Sequence, residues 1–263
     1  MKKLKVIALT AAVMAMACST VVMAEEKEDL IIATEAGFAP YEYMKGDQIV
    51  GVDIDIAQAI ADDMGRNLVI QNMDFDAALL AVQQGMVDFA IAGISVNEER
   101  EEAMDFSDRY VDSTEVVVVN KENPMVEAPT SEALKDKIVA VQQGNIADIW
   151  VSNPDNAEPA EVVRYTKFAM AAEDLKNDKV DCIIMDELPA QDLVSQNPEL
   201  MILEGDPLFQ DQYAIAVQKG NQEMLDEINK VIAQLKEEGK IDEFIANHTQ
   251  TEATDAEAEA EAE

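Results

Sequence analysis

Gly93-Ile-Ser-Val-Asn-Glu-Glu-Arg100 is the stretch on which the fold reading turns. It follows Val87-Asp-Phe-Ala-Ile-Ala92, an apolar run with the length and composition of a buried parallel strand. The strand therefore ends in a glycine and a hydroxyl, and a short polar turn then starts a helix. Ligands of open α/β sheets bind beyond the carboxyl ends of strands, where backbone N–H groups and helix starts are exposed. Gly93 would let a ligand approach the backbone, Ser95 offers a hydroxyl, and Arg100 offers a planar fork that matches a carboxylate. The chain has only four arginines, Arg66, Arg100, Arg109 and Arg164. Arg100 could instead pair with Glu98, Glu99 or Glu101 on a solvated helix face, and these residues alone leave both readings open.

On the amino-terminal side, Asp29–Thr34 reads as a first strand that runs into an aromatic loop holding Phe38, Pro40, Tyr41 and Tyr43. Val52, Ile56, Ile60 and Met64 fall on one face of a helix that Gly65 stops. Leu68–Ile70 is a further strand, and Phe75–Gln84 a helix. Beyond the opening stretch, Glu115–Val119, Lys137–Val141, Leu200–Leu203 and Tyr213–Val217 read as strands. Helices are expected around Trp150, over Ala190–Val194 and from Asn221 to Lys236, with a further turn over Ile241–Ile245. Phe75–Gly93 aligns without a gap on Phe168–Asp186, bringing Val87-Asp88 onto Val180-Asp181. Each copy is helix, tight turn and buried strand, so Asp186 falls at the strand end that Gly93 occupies in the first.

The chain of 263 residues is long enough for one large domain or two small ones. Lys2, Lys3 and Lys5, an uncharged apolar stretch from Val6 to Met23, and Val22-Met-Ala24 form an export signal cleaved after Ala24. A lipid anchor at Cys18 is the competing reading, with Ala15-Met16-Ala17 a poor match to the pattern expected before it. Either route leaves Cys182 without a partner, so no disulfide is expected and Cys182 reads as a small buried hydrophobe. The formal net charge of −35 argues against nucleic acid and anionic membranes as partners. Residues 249–263, rich in Glu, Ala and Thr, read as a disordered acidic tail. No phosphate-binding glycine loop and no cluster of His, Cys or spaced carboxylates is visible, so neither cofactor nor metal is expected.

Taken together and in order, Ala33–Tyr43, Gly51–Ala57, Gly93–Arg100, Asp105-Phe-Ser107, Val141–Gly144, Met185–Glu187 and Gly239–Phe244 resemble the amino-acid-binding proteins of ABC importers. These form the polar-amino-acid branch of the bilobal type II periplasmic binding proteins, and the resemblance covers nearly all of residues 28–247. It implies two α/β lobes joined by two crossover segments, near Tyr110–Thr114 and Gln210–Asp211, with a ligand cleft between them. Lobe 1 would be residues 25–112 with 212–248, and lobe 2 residues 113–211. It also implies a monomer outside the cytoplasm that carries an amino acid, polar or cationic, to a membrane permease. Arg100, Ser95 and the backbone of Gly93 would hold the ligand α-carboxylate, and Asp186 the α-ammonium. Phe38 and Phe75 would sandwich the side chain, with Glu35 near its far end. Gln142 and the backbone after Gly144 would close from the second lobe. The family often has Gly-Thr-Thr where this chain has Gly144-Asn145-Ile146. Ile146 supplies no hydroxyl, so the contact there falls to backbone N–H or to Asn145.

An enzyme on the same scaffold, resembling the exported cyclohexadienyl or arogenate dehydratases, is the alternative. It needs a positioned general acid. The single histidine, His248, lies at the expected frayed end of the fold, which leaves a carboxylate such as Glu35.

Overall fold

A computed structural model describes residues 28–249. The export signal, Cys18 and residues 250–263 of the expected tail lie outside the described residues. In chain order the first half contains strands β1 (Asp29–Thr34), β2 (Gly37–Phe38), β3 (Glu42–Lys45), β4 (Gln48–Val50), β5 (Asn67–Asn72), β6 (Phe89–Ala90), β7 (Met104–Phe106) and β8 (Val111–Asn120). Helices α1 (Val52–Asp63), α2 (Phe75–Gln83) and α3 (Glu98–Ala103) lie among them. The second half contains β9 (Ile138–Gln142), α4 (Ile146–Ser152), β10 (Glu161–Tyr165), α5 (Phe168–Lys176), β11 (Cys182–Asp186), α6 (Glu187–Gln196), β12 (Leu200–Ile202), β13 (Phe209–Tyr213), β14 (Ala216–Gln218) and α7 (Gln222–Glu237).

These form two main sheets. The first has the order β5-β1-β6-β14-β7 and the second β10-β9-β11-β8-β12, with β13 also paired to β8. In each, parallel pairs built by βαβ units (β5-β1-β6; β10-β9-β11) adjoin antiparallel strands, as in other mixed α/β sheets. Burial explains the sequence pattern. Leu30, Ile32 and Ala33 of β1 are fully enclosed, as are Val139, Ala140 and Val141 of β9, because helices cover both faces. Helix α7 buries Met224, Ile228, Val231, Ile232 and Leu235, the face expected from their spacing, and packs against α1. Its start is held by Asn221, whose side chain accepts from the Met224 N–H at 3.3 Å.

Three expectations need correction. The run from Val87 to Ala92 is buried, but only Phe89 and Ala90 are strand, because Gly93 turns into positive φ (+54°) directly after it. The run Tyr213–Val217 is not one strand: Tyr213 ends β13 in the second sheet, and Ala216 opens β14 in the first. A continuous apolar run fits because Ala214 and Ile215 stay buried while the chain passes between sheets. Thr249 is not the start of the tail, since residues 240–249 are helical and the Thr249 hydroxyl donates to the Ile245 carbonyl at 2.8 Å.

The chain leaves the first sheet after β7 and returns after β13. Strands β8 and β13 run antiparallel over that passage, with Gln212 opposite Asp112, Asp211 opposite Ser113 and Gln210 opposite Thr114. The two connections thus form a two-stranded ribbon.

Candidate functional site

Both sheets point the ends of their central strands at one interlobe cavity. It is lined by Glu35, Phe38, Glu42, Phe75, Ala92, Gly93 and Ser95 from one side and by Gln142, Asn145, Ile146 and Asp186 from the other. Every site residue expected from the sequence is on this wall except Arg100, which stands directly behind it. Its guanidinium lies 5.4 Å from the centroid of the Phe75 ring.

Arg100 is six per cent exposed, so the solvated-helix alternative fails. Asn97 caps α3 by accepting from the Arg100 N–H at 2.9 Å, which turns the side chain inward. The guanidinium donates to the carbonyl of Ser95 at 2.5 Å and, across the cleft, to that of Gly144 at 2.8 Å. No carboxylate among the described residues pairs with it within ion-pair distance. Burial accordingly lowers its pKa to about 10, the charges of Asp211 and Glu99 opposing the shift from farther away.

Asp186 is the complementary case. It ends β11, is buried, and accepts from Ser113 Oγ at 2.8 Å and from the Tyr213 hydroxyl. It occupies the N-cap position of α6, yet its side chain makes no cap bond there. No cation among the described residues pairs with it, and burial raises its pKa to about 6. Glu115 and Asp211 approach it, with one oxygen of each of the three within 4.8 Å of the others. This acidic group was invisible in the sequence, because its members come from β8, β11 and β13. Glu115 is fully buried and its oxygens take no hydrogen bond. Burial and the Asp186 charge push its carboxyl well above the ordinary carboxylate range.

Gly93 explains itself sterically. A Cβ there would sit 2.7 Å from Phe38 Cε1, and φ is +54°. Its N–H donates to Asp53 at 2.9 Å. Asp53 is fully buried in the first turn of α1 and also accepts from the Tyr110 hydroxyl at 2.8 Å. Burial raises its pKa to about 6 against those hydrogen bonds. Glu42, on the same wall, is pushed well above the ordinary carboxylate range by burial and by Asp53. Phe38 packs between lobes, its ring 6.0 Å from Phe168 and 5.9 Å from Tyr41. Ser95 Oγ donates to Asp211, and Asn145 spends its Oδ1 on capping α4 through the Asp148 N–H at 2.9 Å. Ile146, the first residue of α4, lines the cavity beside it.

Glu35 is buried and bridges the lobes. It accepts from Gln142 Nε2 at 3.1 Å, and Lys167 Nζ lies 3.4 Å from its Oε1. Burial raises its pKa, the Lys167 charge and the Gln142 hydrogen bond opposing. The sequence reading missed Lys167, Asp53, Glu42, Glu115 and Tyr213. Asp53 alone had a signal, an acid among the apolar residues that start α1. His248 is not frayed: its ring bonds Asp55 at 2.9 Å and the Tyr43 hydroxyl at 3.1 Å. It lies outside the cavity lining, so the removal of a histidine acid from the site stands for that reason instead. Cys182 is buried without a partner, and burial pushes its thiol up.

Two α/β lobes around a closed polar cleft define a bilobal binding protein. The model of the bacterial extracellular solute-binding proteins, family 3, matches residues 30–251, and the chain belongs to that family. It is 27% identical over 220 residues to the arginine-binding extracellular protein ArtP of Bacillus subtilis, covering 83% of this chain and 85% of that protein. The crystal structure of the P235GK mutant of ArgBP from T. maritima superposes with a TM-score of 0.78 at 37% identity, covering 84% of this chain and 95% of the other. The amino acid ABC transporter substrate-binding protein AbpA from Streptococcus pneumoniae, bound to L-arginine, gives a TM-score of 0.79 at 33% identity, covering 85% and 95%.

Proposed function

We propose that this protein captures an amino acid outside the cytoplasm, closes its two lobes on it and presents it to the membrane permease of an ABC importer. The observation that carries this reading is the pair of uncompensated charges at one cavity. Among the described residues, Arg100 is a buried cation without a paired carboxylate, and Asp186 a buried anion without a paired cation. Burying such charges is costly unless each finds a counter-charge, and a zwitterion supplies both at once. Phe75 and Phe38 offer aromatic faces to an aliphatic or cationic side chain, and Glu35 gives its far end an acceptor. Repulsion at Glu35 disfavours glutamate and aspartate. Arginine, lysine and ornithine lead the order of ligands, with glutamine and histidine next. ArtP is arginine-binding by name and AbpA is bound to L-arginine, which supports arginine as a leading candidate.

Residues 25–112 with 212–248 would move against 113–211, the β8–β13 ribbon serving as hinge. The protein would work as a monomer and without turnover. A dehydratase would need a carboxylate such as Glu35 as proton donor; incubation with arogenate or prephenate, followed for product, separates the two.

The test is a thermal-shift screen against the common amino acids. A ligand that binds only the folded state at a hundredfold excess over Kd adds about 2.7 kcal/mol. A raised midpoint with cationic amino acids, and none with aspartate or glutamate, is expected. Flat midpoints throughout would end the reading.

A further inference from the structure

We propose that Lys167 is a built-in competitor for the ligand side chain, and that it sets how strongly the cleft prefers a cationic over a neutral amino acid. This rests on the reading of the cleft as an amino-acid site and concerns its selectivity. Lys167 immediately precedes α5, in the N-cap position with extended backbone. A cation there works against the helix dipole, and its side chain makes no cap bond, so α5 gains nothing from it. What the side chain does is cross the cleft to Glu35, from the opposite lobe.

The pair is lopsided. The Glu35 side chain is 2% exposed and that of Lys167 45%. Glu35 Oε1 is buried and takes no hydrogen bond, and Lys167 Nζ stands off at 3.4 Å. Charge-assisted N–H···O bonds run at about 2.7–2.9 Å, so Lys167 neutralises this oxygen without saturating it. Asp74 adds negative charge nearby, and Gln142 satisfies only Oε2. A guanidinium or ammonium at the end of a ligand side chain can therefore take Oε1 with a proper hydrogen bond. Lys167 can then swing into water on its flexible stem, where it is already half solvated. An amide side chain has no charge with which to displace it. With a neutral ligand Lys167 stays, and Glu35 keeps its counter-ion. The lysine thus subsidises neutral ligands and taxes cationic ones. A lysine acting merely as a latch between lobes would instead shift every ligand alike.

The experiment is calorimetric titration of the purified protein with L-arginine and L-glutamine at pH 8 and fixed salt, for wild type, Lys167→Gln and Lys167→Arg. In Lys167→Gln the ratio of the glutamine Kd to the arginine Kd should rise roughly three- to fivefold, the scale of one partly solvated charge pair. In Lys167→Arg, which keeps the charge, it should stay within about twofold of wild type. Circular dichroism melting checks that both variants fold, as expected for a half-exposed side chain. An unchanged ratio in Lys167→Gln, with arginine still binding, overturns the role of Lys167 alone. Parallel loss of affinity for both ligands does the same and makes it a latch. A wild type that binds neither amino acid overturns the reading of the cleft, and this inference with it.

Discussion

Arg100 and Asp186 are held by neighbours that offer them dipoles but no opposite charge: carbonyls for the one, hydroxyls for the other. Such residues are stored binding energy, because each is stabilised once a counter-charge arrives. Asp186→Asn should weaken amino-acid binding by about 2–5 kcal/mol. The ligand-free variant should fold at least as stably as wild type, since a costly buried charge is gone. Calorimetric titration and urea unfolding read the two effects separately, and normal affinity in the variant would displace Asp186 from the ammonium seat. Arg100 and Asp186 were legible in the sequence as residues at strand ends. Lys167, Glu42 and Glu115 were not, because whether a charged side chain is buried depends on which strand or lobe packs over it. Glu115 sits in a run of valines that announces a strand but is silent about which neighbour covers the acid.

At the scale of elements, the long amphipathic helices were readable because one residue every three or four had to face a core, and α1 and α7 follow that spacing. Short strands were not. Their ends are decided by turns such as Gly93 and by the passage through Ala214 and Ile215, where burial continues although the sheet changes. Helix α4 shows what a helix start asks of its residues. The second-lobe contact was expected from backbone N–H or from Asn145; both Asn145 and Ile146 line the cavity, and Asn145 Oδ1 also caps α4. Asn145→Ala should therefore cost about 1 kcal/mol of stability, whereas Asn145→Asp, which caps equally well, should cost little. Denaturant midpoints at constant slope decide it, and an unaffected midpoint in Asn145→Ala would show that the cap carries no weight.

At the scale of the molecule, two features act together: lobes tied across a cleft, and a large excess of negative charge. Glu35–Gln142, Glu35–Lys167, Arg100–Gly144 and Gln143–Asp76 all span the lobes. Ligand should favour this closed arrangement over more open ones, so small-angle scattering should give a smaller radius of gyration at saturation. An unchanged radius would argue against hinge closure. The pH response has a definite sign. Asp53 and Asp186 titrate near 6 in the folded chain against 3.8 for the free side chain. The folded state therefore binds protons more tightly, and the stability this contributes is present below about pH 4 and lost as pH rises through 6. The effect is on the order of 1–3 kcal/mol per group, and relief of charge repulsion works in the same direction. The ligand-free protein should melt higher at pH 5 than at pH 8, while amino-acid affinity is weaker at pH 5 than at pH 8 because Asp186 is protonated at the lower pH. A higher melting point at pH 8 would contradict the assignment of these buried acids.

The central claim is that a buried, unpaired Arg100 waits for the carboxylate of an amino acid, and titration calorimetry with L-arginine on wild type and Arg100→Ala tests it most directly. The account predicts a saturable one-site heat in the wild type. In the folded variant the affinity should fall by at least about thirtyfold, corresponding to roughly 2 kcal/mol or more. Equal affinity in the two proteins would contradict it.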